Sequence, residues 1–469
     1  MFDGNQKRRT FLKTSGVAGA IALAGCIGGD DDSGNGNGNG NENGNANGNA
    51  NGNGDGNGDS ENGNGDSTGN GTSASSVELT WLHDRNQAED TLEEMAGEFN
   101  DSHSSIEVTP ELLPSGSSEQ EEIQKRQAAG NPPNILWYTF GQAYRYALED
   151  KLAPITGVAE DNDLRTFTDR EEKFFAVSIV GPMTWHYRTD LYDNPETFSD
   201  YLQQAQRIEG EEDIKALQFP NGESTLAFAM QNQLLWNNDV NVWEGSGTDI
   251  ELAMASGDDR DRGIETYEWM QNAYEYSTNG NGLGWDQAAT AYSQESTAAV
   301  PYIGMWIPNL YLADLPELRE NTENAFFPVG GDADNEKKFA WFEGNMVWDT
   351  DAEKNDAARE FLQWWHAEEQ QRQFKKVNAA DYIPATEAGM NADWYREEDG
   401  VHQGMMDMFA SEAENFTPPV ATGNDGALNY PAVANGLVWG QAAAQLLHGG
   451  KSPGGTIDWA QDQIDFSGP

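Results

Sequence analysis

The sequence predicts an α/β fold on two observations. From Ser76 onward, apolar runs of strand length alternate with amphipathic stretches of helix length. The stretch from Val77 to Pro469 is also long enough for two domains of ordinary size. Alternation at this spacing is that of βαβ units, which implies a mainly parallel sheet with helices on both faces. Ligands of such sheets sit beyond the carboxyl ends of the strands. Here those ends carry His83-Asp84-Arg85 and Tyr138.

The elements follow in order. Ser76–His83 (SVELTWLH) reads as a first strand, and QAEDTLEEMAGEFN as a helix with Leu92, Met95, Ala96 and Phe99 on one face. SSIEVTPEL is a second strand, residues 118–129 a second helix, NPPNILWY a third strand opened by its prolines, and QAYRYALED a further helix. NPETFSDYLQQAQRI reads as a helix with Pro195 suited to its first turn. Helices are expected over Ser224–Trp236 and Asp258–Tyr276, and strands over ENAFFPVGG and FAWFEGNMVWDT. One or two helices follow in DAEKNDAAREFLQWWHAEEQQRQF, and a last one in YPAVANGLVWGQAAAQLLHGG, closed by its glycines. No internal repeat is evident.

Ahead of this region the chain reads as an address. Lys7, Arg8, Arg9 and Lys13 form a cationic start and Gly16–Ala24 an apolar middle, too short to span a bilayer as a helix. Arg8-Arg9 followed by Phe11-Leu12-Lys13 resembles the twin-arginine export signal. Leu23-Ala24-Gly25-Cys26 resembles a prokaryotic lipobox, which implies cleavage after residue 25 and lipid on Cys26. Cys26 is the only cysteine, so no intramolecular disulfide is available and the fold must be held by its core. A single lipid chain, at about 0.8 kcal/mol per buried methylene, holds weakly, and the lipobox implies two. Residues 26–76 supply the lipidated cysteine and a Gly/Asn/Asp linker without apolar side chains to bury, expected to be a disordered leash.

The formal net charge is −52, and removal of residues 1–25 would take away four cations against one anion, Asp3. Such self-repulsion is screened only in concentrated salt, which implies a very salty habitat, that of a haloarchaeon. Nucleic-acid binding is excluded, since phosphate contacts need clustered Lys and Arg. With acids this abundant, no pair of carboxylates is evidence of catalysis. All 15 tryptophans lie beyond residue 76, and flat apolar faces of this kind stack on sugar rings. The six histidines show no ligand spacing, and no H-E-x-x-H, nucleophile elbow or Walker loop occurs, so neither metal nor cofactor is expected. Asn-x-Ser/Thr triplets stand at Asn70, Asn100 and Asn415.

Across Val77–Phe466 the order of segments resembles the extracellular solute-binding proteins of sugar ABC importers, the maltose-binding-like family. EEMAGEFNDSHSSIEVTPE is similar to its opening helix and second strand. KRQAAGNPPNILWY resembles the A-A-G-x-x-P-D-I/V segment, with Asn134 in place of Asp. WHYRTDLYDNPETFSDYLQQAQRI resembles Y-N-K-D-L-F…P-x-T-W-x-E-F, with Phe198 for the tryptophan. STAAVPYIGMWIPNL, FFPVGG, AAREFLQWWHAEEQQRQF and ADYIPATEAGM match later segments in the family's order.

The resemblance implies a two-lobed periplasmic-binding-protein-like fold, hinge-linked, with the ligand cleft between the lobes. Lobe one is then expected at 77–183 and 329–415, and lobe two at 184–328 and 416–469. Trp306, in the family's G-x-W position, is expected to stack on a sugar, together with Tyr138 and Trp439. Asp84, Arg85, Glu223, Glu343 and Gly344 are expected to bond its hydroxyls. The implied function is that of a monomeric, lipid-anchored binding component on the external face of the membrane. Its partners would be a carbohydrate, ABC permease subunits and, through them, an ATPase. The rival readings are a surface-anchored glycoside hydrolase, an adhesin, a metal-ion carrier and a binding protein for a non-sugar solute.

Overall fold

The computed structural model describes residues 76–469 apart from 115–118, 166–170, 212–213, 223, 247–248, 279, 281–282, 332, 334–336, 378–381, 399–400, 419–437 and 465–469. Cys26, Asn70 and Glu223 therefore lie outside the described residues, as do the export segment and the linker through residue 75.

The first stretch follows the βαβ pattern. β1 (Val77–His83), helix Glu89–Ser102, β2 (Ile106–Leu112), helix Glu119–Ala128, β3 (Ile135–Thr139) and helix Phe140–Leu148 succeed one another. β1 lies between β2 and β3 and is parallel to both. Helix Glu89–Ser102 buries Leu92, Met95, Ala96 and Phe99, the stripe its sequence spacing requires, and carries Glu89 and Asp90 in its first turn, where the helix dipole favours acids. Asn100 on this helix accepts from the Val108 N–H at 2.8 Å and donates to the Val108 carbonyl at 3.0 Å, covering part of the edge strand β2. Its amide nitrogen is thus already engaged.

The chain then passes through β4 (Leu152–Ala153) into β5 (Ala176–Arg188), whose 13 residues serve two sheets. Residues from Ala176 to Pro182 pair antiparallel with β10 (Lys338–Trp348), whereas Met183 to Arg188 pair with β8 (Ala299–Ile303) on one side and β9 (Thr322–Ala325) on the other. Between β5 and β8 come helices Phe198–Glu211 and Thr225–Trp236, the hairpin of β6 (Trp243–Ser246) with β7 (Asp249–Leu252), and helices Gly257–Tyr274 and Trp285–Ser293. After β10 come helices Ala352–Trp365 and Glu368–Lys375, then β11 (Ile383–Pro384), helix Gln403–Ser411, β12 (Phe416–Thr417) and helices Val438–Leu447 and Pro453–Gln463.

The expectation of a mainly parallel sheet is corrected. The order is β11-β5-β10-β3-β1-β2, and β10 is antiparallel to both β3 and β5. A chain that leaves the first sheet along β5 returns to it along β10 in the opposite sense, so direction alternates at the middle. Helix Phe198–Glu211 also begins three residues after Pro195. Thr197 Oγ1 accepts from the Asp200 N–H (3.1 Å) and Asp200 Oδ2 from the Thr197 N–H (3.2 Å), a reciprocal cap that fixes the start. The strand expected through Gly331 stops at Ala325; the Phe327 and Pro328 carbonyls are instead satisfied by the Asn237 amide at 2.7 and 3.0 Å.

Among the described residues, buried apolar side chains form three clusters. One draws on 183–339 and 438–464. The other two lie on opposite faces of the first sheet, with alternate residues Ile135 and Trp137 on one face and Leu136 on the other. Asn134 and Phe198, where the sequence departs from the family pattern, both serve packing. Asn134 accepts from the Thr80 N–H at 3.0 Å, and Phe198 stacks on Trp269 at 4.4 Å.

Candidate functional site

A cavity of about 180 Å³ opens where β5 and β10 cross between the sheets. Its floor is made by Ile179, Val180 and Gly181 of β5 with Trp341 and Glu343 of β10. One wall is the loop after β1, Asp84 to Gln87, while Ile383 of β11 extends the floor beside Val180. The opposite wall comes from the end of β8, Ile303 and Gly304, followed by Trp306. Both sheets therefore contribute.

Local structure explains each position. β1 ends on His83, whose buried Nδ1 accepts the Arg85 N–H at 3.2 Å. Burial lowers the His83 pKa to about 4, which keeps the ring neutral and that bond intact. Arg85 then donates from Nε to Asp84 Oδ1 at 2.7 Å, while its Nη1 lies 2.7 Å from Glu343 Oε2. Burial alone disfavours the guanidinium charge, but Glu343 and Asp84 outweigh it and hold the Arg85 pKa well above its ordinary value. Burial shifts Glu343 the other way, raising its pKa against the pull of Arg85.

Glu343 is aimed by a bulge. Glu343 faces Ile179 and Gly344 faces Val177, which leaves Ser178 as an extra residue on β5. Gly344 permits the close approach: a Cβ there would lie 2.0 Å from the Ala176 carbonyl oxygen. On the opposite wall, Gly304 adopts φ +50°, a left-handed conformation suited to glycine, and donates to the Pro182 carbonyl at 2.9 Å. That turn delivers Trp306 to the cavity.

Of the expected site residues, Asp84, Arg85, Glu343 and Trp306 are brought together. Three are placed elsewhere. Trp439 is fully buried, its ring 5.7 Å from Trp243, because Trp439, Ala442, Ala443 and Leu446 form the core stripe of helix Val438–Leu447. Tyr138 pairs with Gly344 and so lies on the sheet face opposite Glu343, packed against the cluster containing Leu136 and Phe342. Gly344 acts through the backbone approach just described rather than by lining the cavity. Sequence reasoning missed Trp341, Gly181, Ile303 and Ile383. The signal for Gly181 was the Gly-Pro step inside an apolar run, which marks a strand that bends or changes partners.

The arrangement offers two indole side chains, aliphatic walls and a charged cluster of fixed geometry, suited to holding a polar solute by its faces and its edges. Among the described residues no group of three metal-ligating side chains occurs, and no helix is long and apolar enough to cross a membrane.

Two α/β lobes around strands shared between them, with a cleft at the crossing, define a two-lobed solute-binding protein. The family profile of the bacterial extracellular solute-binding proteins matches residues 85–372, and the chain belongs to that family. Its members are binding proteins, not enzymes, which sets aside the hydrolase reading. A comparison with curated proteins found no match. Among solved structures, the chain is similar to the GacH receptor of Streptomyces glaucescens, described unliganded and with acarbose, at 13% identity, TM-score 0.66, covering 82% of this chain and 97% of that one. It is also similar to maltose-bound MalE3 of T. maritima (16%, TM-score 0.66, 83% and 99%) and to a cyclo/maltodextrin-binding protein in complex with maltotetraose (16%, TM-score 0.63, 84% and 97%).

Proposed function

We propose that this protein is the binding component of a sugar ABC importer, tethered by lipid on Cys26 to the external face of the membrane after twin-arginine export. It captures a carbohydrate between its lobes and hands it to permease subunits driven by a separate ATPase. Lobe one comprises 77–183 and 329–415, and lobe two 184–328 and 416–469. Trp306 and Trp341 supply the stacking faces, and Asp84, Arg85 and Glu343 the hydroxyl contacts.

The observation that carries this reading is a cavity walled by both sheets at the crossing of β5 and β10. A ligand touching both walls is bound better by a closed state than by an open one, and that difference is what drives hinge closure. The sugars named for the similar structures support the solute class.

The test is X-ray scattering with calorimetry in concentrated salt across mono- and oligosaccharides. A binding saccharide is expected to act at one site per chain and to reduce the radius of gyration. Compaction by a non-sugar solute alone would reassign the solute, and constant scattering with every solute would remove the closure mechanism.

A further inference from the structure

On the sugar-binding reading just given, we infer that the cleft is built for one uncharged sugar ring, and that Gly181 is the residue that sets its depth.

The volume comes first. The cavity holds about 180 Å³. Pockets for larger organic ligands begin near ~300 Å³. One sugar ring fills this space.

Gly181 explains why the space exists. It lies on β5 immediately before the strand leaves one sheet for the other, between Trp341 and Ile303. Its φ is not in the left-handed region. A Cβ built there would meet Ile303 Cδ1 at 3.5 Å and Trp341 Cβ at 3.8 Å, ordinary contacts. The backbone therefore does not need glycine at this position, in contrast to Gly344. What the missing side chain leaves is room over the floor of the cleft.

Charge sets the second limit. One guanidinium, Arg85, faces two carboxylates, Asp84 and Glu343. Neutral hydroxyls donate to the carboxylates and accept from the guanidinium. A sugar acid adds a third negative charge, and among the described residues lining the cavity Arg85 is the one cation.

The experiment is calorimetric titration of the full chain in concentrated salt with glucose, galactose, mannose, maltotriose and glucuronate, repeated on Gly181→Ala and Gly181→Leu. At least one hexose is expected to bind one-to-one, with glucuronate weaker by about tenfold or more. Gly181→Ala is expected to weaken the hexose several-fold and Gly181→Leu by about a hundredfold or more, both with unchanged circular dichroism. If Gly181→Leu fails to fold, Gly181→Ala, whose methyl fits, decides alone. Maltotriose binding tighter than every hexose, glucuronate binding as well as glucose, or a hexose affinity indifferent to position 181 would overturn this inference and leave the sugar reading standing. Absence of binding by every saccharide would overturn both.

Discussion

Arg85 is the residue through which the cleft is organised, because it joins the loop after β1 to β10 beside the bulge of β5. The side chains of Asp84, Arg85 and Glu343 are 29%, 14% and 22% exposed, so their pairing is made largely out of water. Removing the cation leaves two half-buried carboxylates facing each other, which costs more than the pair contributes when intact. Arg85→Met is therefore expected to lower stability by about 1–3 kcal/mol in urea unfolding. Glu343→Gln is expected to cost less, since an amide oxygen still presents partial negative charge to the guanidinium 2.7 Å away. The double substitution should lose less than the sum, with an interaction of at least about 0.5 kcal/mol. Strict additivity would show that the two groups are not coupled. At this scale the sequence was partly legible. The loop after a βαβ strand pointed to Asp84 and Arg85. Trp439, read as a contact, sits on a stripe at i, i+3, i+4 and i+7 that already identified it as core.

β5 and β10 decide the architecture, and they were read unequally. β10 was legible as FAWFEGNMVW, a run of aromatic and branched residues. β5 was not, because Gly181-Pro182 interrupts FAVSIVGPMTWHYR where a continuous strand would lack both. The structure puts that step at the passage from one sheet to the other, where ladder partners change and Pro182 faces Ala340. The βαβ units before it were legible because each buries one periodic face. Strand direction at the centre was not, since it depends on where the chain returns. The bulge beside Gly344 is the second device on these strands. A Cβ at that position would collide with the backbone at Ala176, and no side-chain rotation relieves such an overlap. Gly344→Ala is expected to lower the urea midpoint by the equivalent of about 3 kcal/mol, at the upper end of overpacking costs. Gly181→Ala, one strand away, should stay within about 1 kcal/mol of the parent. Equal midpoints for the two variants would mean that β10 can move away from β5, and the bulge would then not be what aims Glu343.

The whole molecule has 27 Lys and Arg against 79 Asp and Glu. Its arginines are repeatedly shared: Arg85 joins Asp84 and Glu343, Arg126 joins Glu111 and Glu122, and Arg188 joins Asp190 and Glu295. The Arg85 and Arg188 trios remain negative, and only the third is balanced, by Lys125 on Glu122, so pairing relieves local repulsion without removing the excess. Exposed pairs also contribute little individually. What remains is repulsion spread over the surface, and mobile ions are the available remedy. Between about 0.1 M and about 1 M salt the Debye length falls from ~10 Å to ~3 Å, shorter than most spacings between surface acids. The thermal midpoint of the folded protein is therefore expected to rise steeply with KCl over that range and to flatten beyond it. Sucrose at low salt should not substitute, because it strengthens burial without screening charge. A midpoint independent of KCl, or one restored equally by sucrose, would show that the acidic surface does not limit stability and would remove the inference of a very salty habitat.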